Sequence, residues 1–573
     1  MHKRLLSALA TLLALSACAT VEAPPAPALT SATPDTASGV VSAADPRASE
    51  AGAEMLRRGG SSTDAAIAVM LALTVVEPQS SGIGGGGFYL RGNAAGDVVS
   101  LDGRETAPAA AAPDWFLDES GEALPFGKAV LTGLSIGVPG NIRLSAEAHE
   151  KYGLLEWATL FEPAITLARK GWEITPRFRD FLTRAKDRAA ATDSGRALFY
   201  DQAGEPLPVG TVVTNSALAD TLEMLAQAGP EVFYMGDWAA GLAETAAAVT
   251  PGAAAMTASD LSTYSAVWRS SPCGQYRQYK ICGMGPPSSG ATTVYAILKQ
   301  LEGYDLAALG ADSPAFWHLF AESQRLAYAD RELYLGDADF VSVPMAGLMD
   351  GDYLRTRGSL ISATQSLPTP AAGTPPGANA ALAIGEGPEE GGTSHFVVID
   401  NDGDAVSWTS TVEGPFGSGQ MYGGFYLNNE LTDFSFVPAK DDKPVANRVE
   451  GGKRPRSSMS PSLVFDSDGK LVLAIGAAGG ATIPVQVAKA LIGVLDFGLS
   501  AEQAIALPGL FSPGDTVFVE PDTSLAAMQD ALEALGHKVS PRQMPFKANA
   551  AQLVEGQWIG AADPRSEGAP AYP

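Results

Sequence analysis

Apolar positions change their spacing several times along the chain, and each change predicts an element. Ala51 to Leu73 is Ala-rich and broken once, at Gly59-Gly60. Beyond the break Ala66, Val69, Met70 and Leu73 recur at i, i+3, i+4 and i+7, which predicts one buried helix face. Residues 214–247 and 313–335 also read as helices; in the second, Phe316, Leu319, Phe320, Leu326 and Ala327 form an apolar stripe with a gap at Ser323. A glycine run, Gly82-Ile83-Gly84-Gly85-Gly86-Gly87, leads into the strand-like Phe88-Tyr89-Leu90. Residues 370–392 are mostly Pro, Gly, Ala and Glu, with almost nothing to pack; a loop of that length is functional or disordered. Directly after it, His395 to Asp400 reads as a strand, and Asn401-Asp402-Gly403-Asp404 turns it into a second strand, Ala405 to Thr411. An unpacked segment feeding a buried strand is where a precursor could be cut.

Composition permits a large core: 573 residues, 46% hydrophobic, with a net charge of −26 that repels nucleic acid as a partner. The first 17 residues, a basic start and a short Leu/Ala run, read as a signal peptide. The run ends in Leu15-Ser16-Ala17-Cys18, similar to a bacterial lipobox that lipidates Cys18, with a plain cleaved signal as the alternative. Ala19 then favours the outer membrane, giving an exported, periplasmic, lipid-anchored protein. Residues 18–44, rich in Pro and Ala, read as a tether. Cys273 and Cys282 flank a polar-aromatic stretch; with Arg277-Gln278 at the turn they lie opposite each other. In an exported chain that favours a disulfide over two buried thiols, and either role is structural.

Two motifs are set aside. Gly82-x-Gly84-x-x-Gly87 lacks the preceding strand and following helix that a dinucleotide site needs. Gly133-Leu134-Ser135-Ile136-Gly137 resembles a nucleophile elbow, but Val138-Pro139-Gly140 breaks the helix it would open. No cluster of His and Cys is visible, so no metal or other cofactor is expected.

Other segments carry a family resemblance. Asp45-Pro46-Arg47-Ala48-Ser49-Glu50, Asp102-Gly103-Arg104-Glu105-Thr106-Ala107-Pro108 and Pro286-Pro287-Ser288-Ser289-Gly290 are similar to γ-glutamyltranspeptidases. So are Thr393-Ser394-His395, Leu427-Asn428-Asn429-Glu430, Asp433-Phe434-Ser435, Arg456-Ser457-Ser458-Met459-Ser460-Pro461 and Gly479-Gly480. The matches run in family order over roughly residues 44–568. The resemblance implies an α+β N-terminal-nucleophile fold, an αββα four-layer sandwich formed jointly by a large subunit (45–392) and a small subunit (393–573) after self-cleavage between Gly392 and Thr393.

It also implies residue roles. Thr393 becomes the nucleophile, with its freed α-amine as base: an α-amine titrates near ~7.7–8, far below a Lys. Thr411 orients it, and Gly479 and Gly480 form the oxyanion hole. Arg104, Ser457 and Ser458 take the α-carboxylate of a γ-glutamyl donor such as glutathione, Arg104 through its planar fork. Glu430 and Asp433 take the α-ammonium, and Glu413 stands where many relatives have Asn. Acceptors would be water, amino acids or dipeptides. Val437 to Gly452 has no aromatic residue and looks shorter than the lid of long-lidded relatives, which should admit bulkier partners. Two rivals remain: a glutaryl-type cephalosporin acylase of the same fold, and a lipid-anchored binding or scaffold protein with a dead site.

Overall fold

Alternation along two strands explains the layering of the molecule. In Ser394–Ile399, Phe396 and Val398 enter a helix-packed core, while Val397 and Ile399 join Val40, Leu90, Leu463 and Phe465 in a second one. In Ala405–Thr411, Val406 and Trp408 take the helix side and Ala405 the other. A strand buried on both faces requires a layer on each side.

The computed structural model describes residues 39–252, 254–378, 381–385 and 391–573, so the predicted signal peptide, Cys18 and most of the tether lie outside the described residues. A seven-stranded antiparallel sheet runs in the order Ala569–Ala571, Val40–Ala43, Ser394–Ile399, Ala405–Thr411, Gly86–Gly92, Val98–Gly103, Val267–Arg269. A six-stranded antiparallel sheet follows the order Gln557–Ala562, Lys547–Val554, Leu471–Ala478, Ser462–Phe465, Tyr279–Gly283, Cys273–Tyr276. Pro46–Arg57, Ser62–Val76 and Glu162–Lys170 cover the first sheet; Gly290–Leu301, Pro314–Tyr334 and Ile483–Leu495 cover the second. The order is helix, sheet, sheet, helix, the αββα sandwich expected from the resemblance.

Three expectations change in detail. The tether does not reach residue 44: Val40–Ala43 is a strand between Ser394–Ile399 and Ala569–Ala571. Its β-branched Val40 and Val41 are fully buried, a signal hidden by the Ala-rich sequence around them. Ser62–Val76 is buried on every side rather than on one face, because it lies between Pro46–Arg57, Glu162–Lys170 and the first sheet. Its start is fixed by a capping box between Ser61 and Asp64. In Pro314–Tyr334 the apparent gap at Ser323 is also interior; its hydroxyl donates to the Ile297 carbonyl at 2.9 Å.

The cysteine hairpin forms with Cys273 opposite Cys282, and a disulfide joins them. Among the described residues of 370–392 there is no helix or strand, only a bridge from Ala383 to Val445. The segment Val437 to Gly452, expected to be a short lid, carries a small exposed hairpin, Ala439–Lys440 with Lys443–Pro444.

Candidate active site

The hairpin register decides the centre of the site. Ser410 faces Ser394, so the next position on each strand brings Thr411 beside Thr393, and their Oγ1 atoms are 3.0 Å apart. Thr411 Oγ1 also accepts the Glu413 N–H at 2.8 Å, and either hydroxyl of the Thr393–Thr411 pair can be the donor to the other. Thr393 is almost fully buried and has φ = 95°, a conformation that a β-branched residue adopts only under constraint. Its N–H donates to the Ser80 carbonyl at 2.9 Å. Residue 392 must be glycine, because a Cβ there would overlap the Glu413 carbonyl.

Gly479 and Gly480 sit where the strand Leu471–Ala478 turns into a 3-10 segment and the helix Ile483–Leu495. Their φ values, 129° and 57°, suit glycine, and N–H groups at a helix start face outward without intrahelical partners. Gly480 lines one small cavity together with Thr393, Thr411, Arg104, Glu413, Asp433, Ser457 and Ser458. Of the predicted substrate-binding residues, Glu430 alone stays behind this wall, fully buried.

The charges in the cavity are not arranged as the resemblance implied. Arg104 does not present an open fork: it pairs with both Glu430 and Asp433, and donates to the Pro455 and Arg456 carbonyls at 3.2 and 3.0 Å. The acids assigned to a ligand's ammonium thus hold the guanidinium assigned to its carboxylate. Sequence names the residue types but not which neighbour each finds when the pocket is closed. Acid oxygens from Glu413, Glu430 and Asp433 lie within 4.8 Å of one another. The Ser458 hydroxyl accepts from Arg331 at 2.6 Å and that of Ser457 from the Met459 N–H at 3.2 Å.

Comparison with known proteins agrees with this geometry. A sequence profile described as Gamma-glutamyltranspeptidase matches residues 48–572. The chain belongs to the gamma-glutamyltranspeptidase family. It is 36% identical to the glutathione hydrolase proenzyme of Bacillus subtilis (strain 168), covering 93% of this chain and 91% of that one. Identity to the Escherichia coli (strain K12) glutathione hydrolase proenzyme is 35%, covering 98% and 97%. Among solved structures, a cephalosporin acylase from Bacillus halodurans superposes with a TM-score of 0.82 at 26% identity, covering 96% of this chain and 99% of that one. This gamma-glutamyltranspeptidase-family chain is therefore an enzyme with the N-terminal-nucleophile fold.

Sequence reasoning missed two charged groups beside the site. Lys547 is buried and donates to Glu77 Oε2 at 2.9 Å, and the same oxygen accepts the Ser394 hydroxyl at 2.5 Å. Desolvation pulls the Lys547 ammonium down to about 8, against the opposing pull of Glu77. The one available signal was a lysine opening an otherwise uncharged strand, Lys547–Val554. Glu105 follows Arg104, is fully buried, and neither of its carboxyl oxygens has a hydrogen-bond partner. Desolvation raises it to about 8, over the opposing attraction of Arg104.

The motifs set aside are structural. Gly84 and Gly85 are approached by the Tyr426 and Thr411 carbonyls, and the Ser135 hydroxyl donates to Val130 and Thr132 carbonyls. One expectation needs amending: His318 and Glu322, four apart on the helix Pro314–Tyr334, are met in the interior by His537 from the far end of the chain. They satisfy one another and their surroundings: His318 Nδ1 meets His537 Nε2 at 2.7 Å, and Arg325 donates to Glu322 at 2.8 Å.

Proposed function

We propose that this chain cuts itself between Gly392 and Thr393 and then cleaves γ-glutamyl amides such as glutathione, passing the γ-glutamyl group to water or to amino acid and dipeptide acceptors. The observation that carries this reading is the Thr393–Thr411 hydroxyl contact at 3.0 Å, directly after a required glycine and at a strained residue. In self-cleavage the Thr393 hydroxyl attacks the Gly392 carbonyl and its proton passes to the leaving nitrogen. The C–N bond breaks, which frees the Thr393 amine and leaves Gly392 as an ester on Oγ1, and water hydrolyses that ester to the Gly392 carboxylate and the free Thr393 hydroxyl.

In turnover that amine, neutral in part at working pH, takes the Thr393 proton as Oγ1 attacks the γ-carbonyl. The Gly479 and Gly480 N–H groups stabilise the oxyanion, in the role that often supplies the largest catalytic effect. The amine then protonates the leaving nitrogen, the amide bond breaks, and a γ-glutamyl ester remains on Thr393. Water or an acceptor amine attacks the ester by the same route in reverse. Ligand entry exchanges the closed Arg104 pairing for an Arg104–carboxylate pair and frees Asp433 and Glu430 for the ammonium. The two chains stay together as a heterodimer.

The neighbour named as a cephalosporin acylase favours a second reading, a glutaryl amide donor without an ammonium. Three converging acids weigh against it. N-terminal sequencing of active protein is expected to find a fragment beginning Thr-Ser-His-Phe, and T393A to remain one uncut, inactive chain. An active T393A would defeat the proposal, and faster turnover of a glutaryl amide than of glutathione would hand the site to the acylase reading. Export with lipidation at Cys18 goes with this function and is supported by the disulfide; C18A should leave the membrane fraction, and unchanged membrane retention would refute the anchor.

A further inference from the structure

A second cavity, about 910 Å³, begins on the other side of the same glycines: it is lined by Gly391, Gly479 and Ala481 and opens outward. Gly391 is one residue from the scissile bond, so the cavity starts where the bond breaks. On the γ-glutamyl reading this adjoining space is the one that a leaving amine outside the small Arg104 cavity would occupy. In a chain of net charge −26, the lining of this cleft holds Arg177, Arg184, Arg542 and Arg565 against one acid, Asp180.

Not all four guanidinium groups are equally available. Arg565 is bound to Glu520 and Asp563, and Arg184 to Asp180. Arg177 and Arg542 form no ion pair among the described residues, and Arg177 Nη1 is a buried donor with no hydrogen-bond partner. Each stacks over an aromatic ring, Arg177 over Phe181 at 5.0 Å and Arg542 over Phe518 at 5.2 Å. Stacking fixes the plane of a guanidinium and leaves its N–H edge for a carboxylate. Two guanidinium groups without an acidic partner among the described residues, in one basic cleft, are the feature that an anionic ligand would complete.

We propose that this cleft selects leaving amines and acceptors that carry two or more carboxylates, the chemistry of an acidic peptide, with Arg177 and Arg542 as the specificity-determining residues. The inference rests on the γ-glutamyl reading above and adds to it the class of group on the far side of the bond.

A matched donor series tests it: γ-glutamyl anilide, its 4-carboxy form and its 3,5-dicarboxy form, which share the acyl group and differ in leaving-group charge. At low salt kcat/KM is expected to rise about tenfold from the neutral to the dianionic donor, and the rise to shrink at 0.5 M salt, since exposed pairs are screened. Charge reversal in R177E/R542E is expected to invert the order of the three donors, with the neutral anilide reporting that the variant is folded. Equal kcat/KM across the series, or a double variant that keeps the wild-type order, would overturn the proposal while leaving the γ-glutamyl reading intact. Failure of the wild-type enzyme to cleave any of the three would overturn both.

Discussion

The two cavities that meet at Gly479 and Gly480 are opposites. One has a volume of about 10 Å³, room for about one water; Glu413, Asp433 and Arg104 line it, and Arg104 is paired with Asp433 and with the buried Glu430 behind the wall. The other is about 910 Å³ and basic, with two stacked arginines that have no acidic partner among the described residues. On the proposed reading, the contrast teaches that the two halves of a substrate are recognised by different physics. The acyl half meets desolvated charges, where each lost partner is costly; the amine half meets hydrated ones, where each contact is worth little and salt weakens it.

Breaking the closed pocket should have the largest effect. R104M removes the guanidinium that Glu430 and Asp433 both bind in a buried site, at a cost of about 3–5 kcal/mol in stability. It should also lower kcat/KM about 10³-fold for every donor, whatever its leaving group, in steady-state assays. R104M/E430Q should recover melting temperature but not activity; recovery of both would mean that Arg104 serves the fold alone.

Next comes the seam between the cavities. G479A places a side chain at φ = 129° and moves the N–H proposed for the oxyanion, so kcat should fall about 10²–10³-fold with little change in KM. A rise confined to KM would remove that N–H from the transition state. T411V should slow both self-cleavage, followed on a gel, and turnover, by about 10–100-fold, and leaves the Glu413 N–H without its acceptor at about 1–3 kcal/mol.

The smallest expected effects are in pH dependence. Lys547 has its folded value lowered from 10.5 to about 8, so between these values the unfolded chain binds more protons and stability rises with pH. K547M should flatten the melting curve above pH 8. Glu105 is raised from 4.5 to about 8, so its contribution is fully present below 4.5 and is lost as pH rises to 8; E105Q should flatten that window. Unchanged slopes would show that neither group titrates as its burial implies.

Much of the fold and site was legible because neighbours in sequence are neighbours in the hairpin. Thr393 and Thr411 are linked by one tight turn, and the run His395 to Asp400 read as a buried strand. The motif residues around Arg104, Asp433 and Ser457 could be named, but their closed pairing could not, because it depends on which of several acids lies nearest. Lys547 and Glu77 are 470 positions apart, and Arg177 and Arg542 reach one cleft from opposite ends of the chain. No periodicity reports a meeting of that kind. Val40–Ala43 escaped for a simpler reason: a four-residue strand next to a Pro/Ala-rich stretch is too short to announce itself.

That short strand would give the proposed two-chain enzyme a clasp. It belongs to the first of the two proposed chains, yet it is zipped on one side to Ser394–Ile399 and on the other to Ala569–Ala571, both in the second. Pulling the fragments apart means unravelling a sheet from its middle, so dilution that separates ordinary heterodimers should leave this one whole. Halves made separately would each lack strands that the other holds, and should fail to find their way back into a working enzyme.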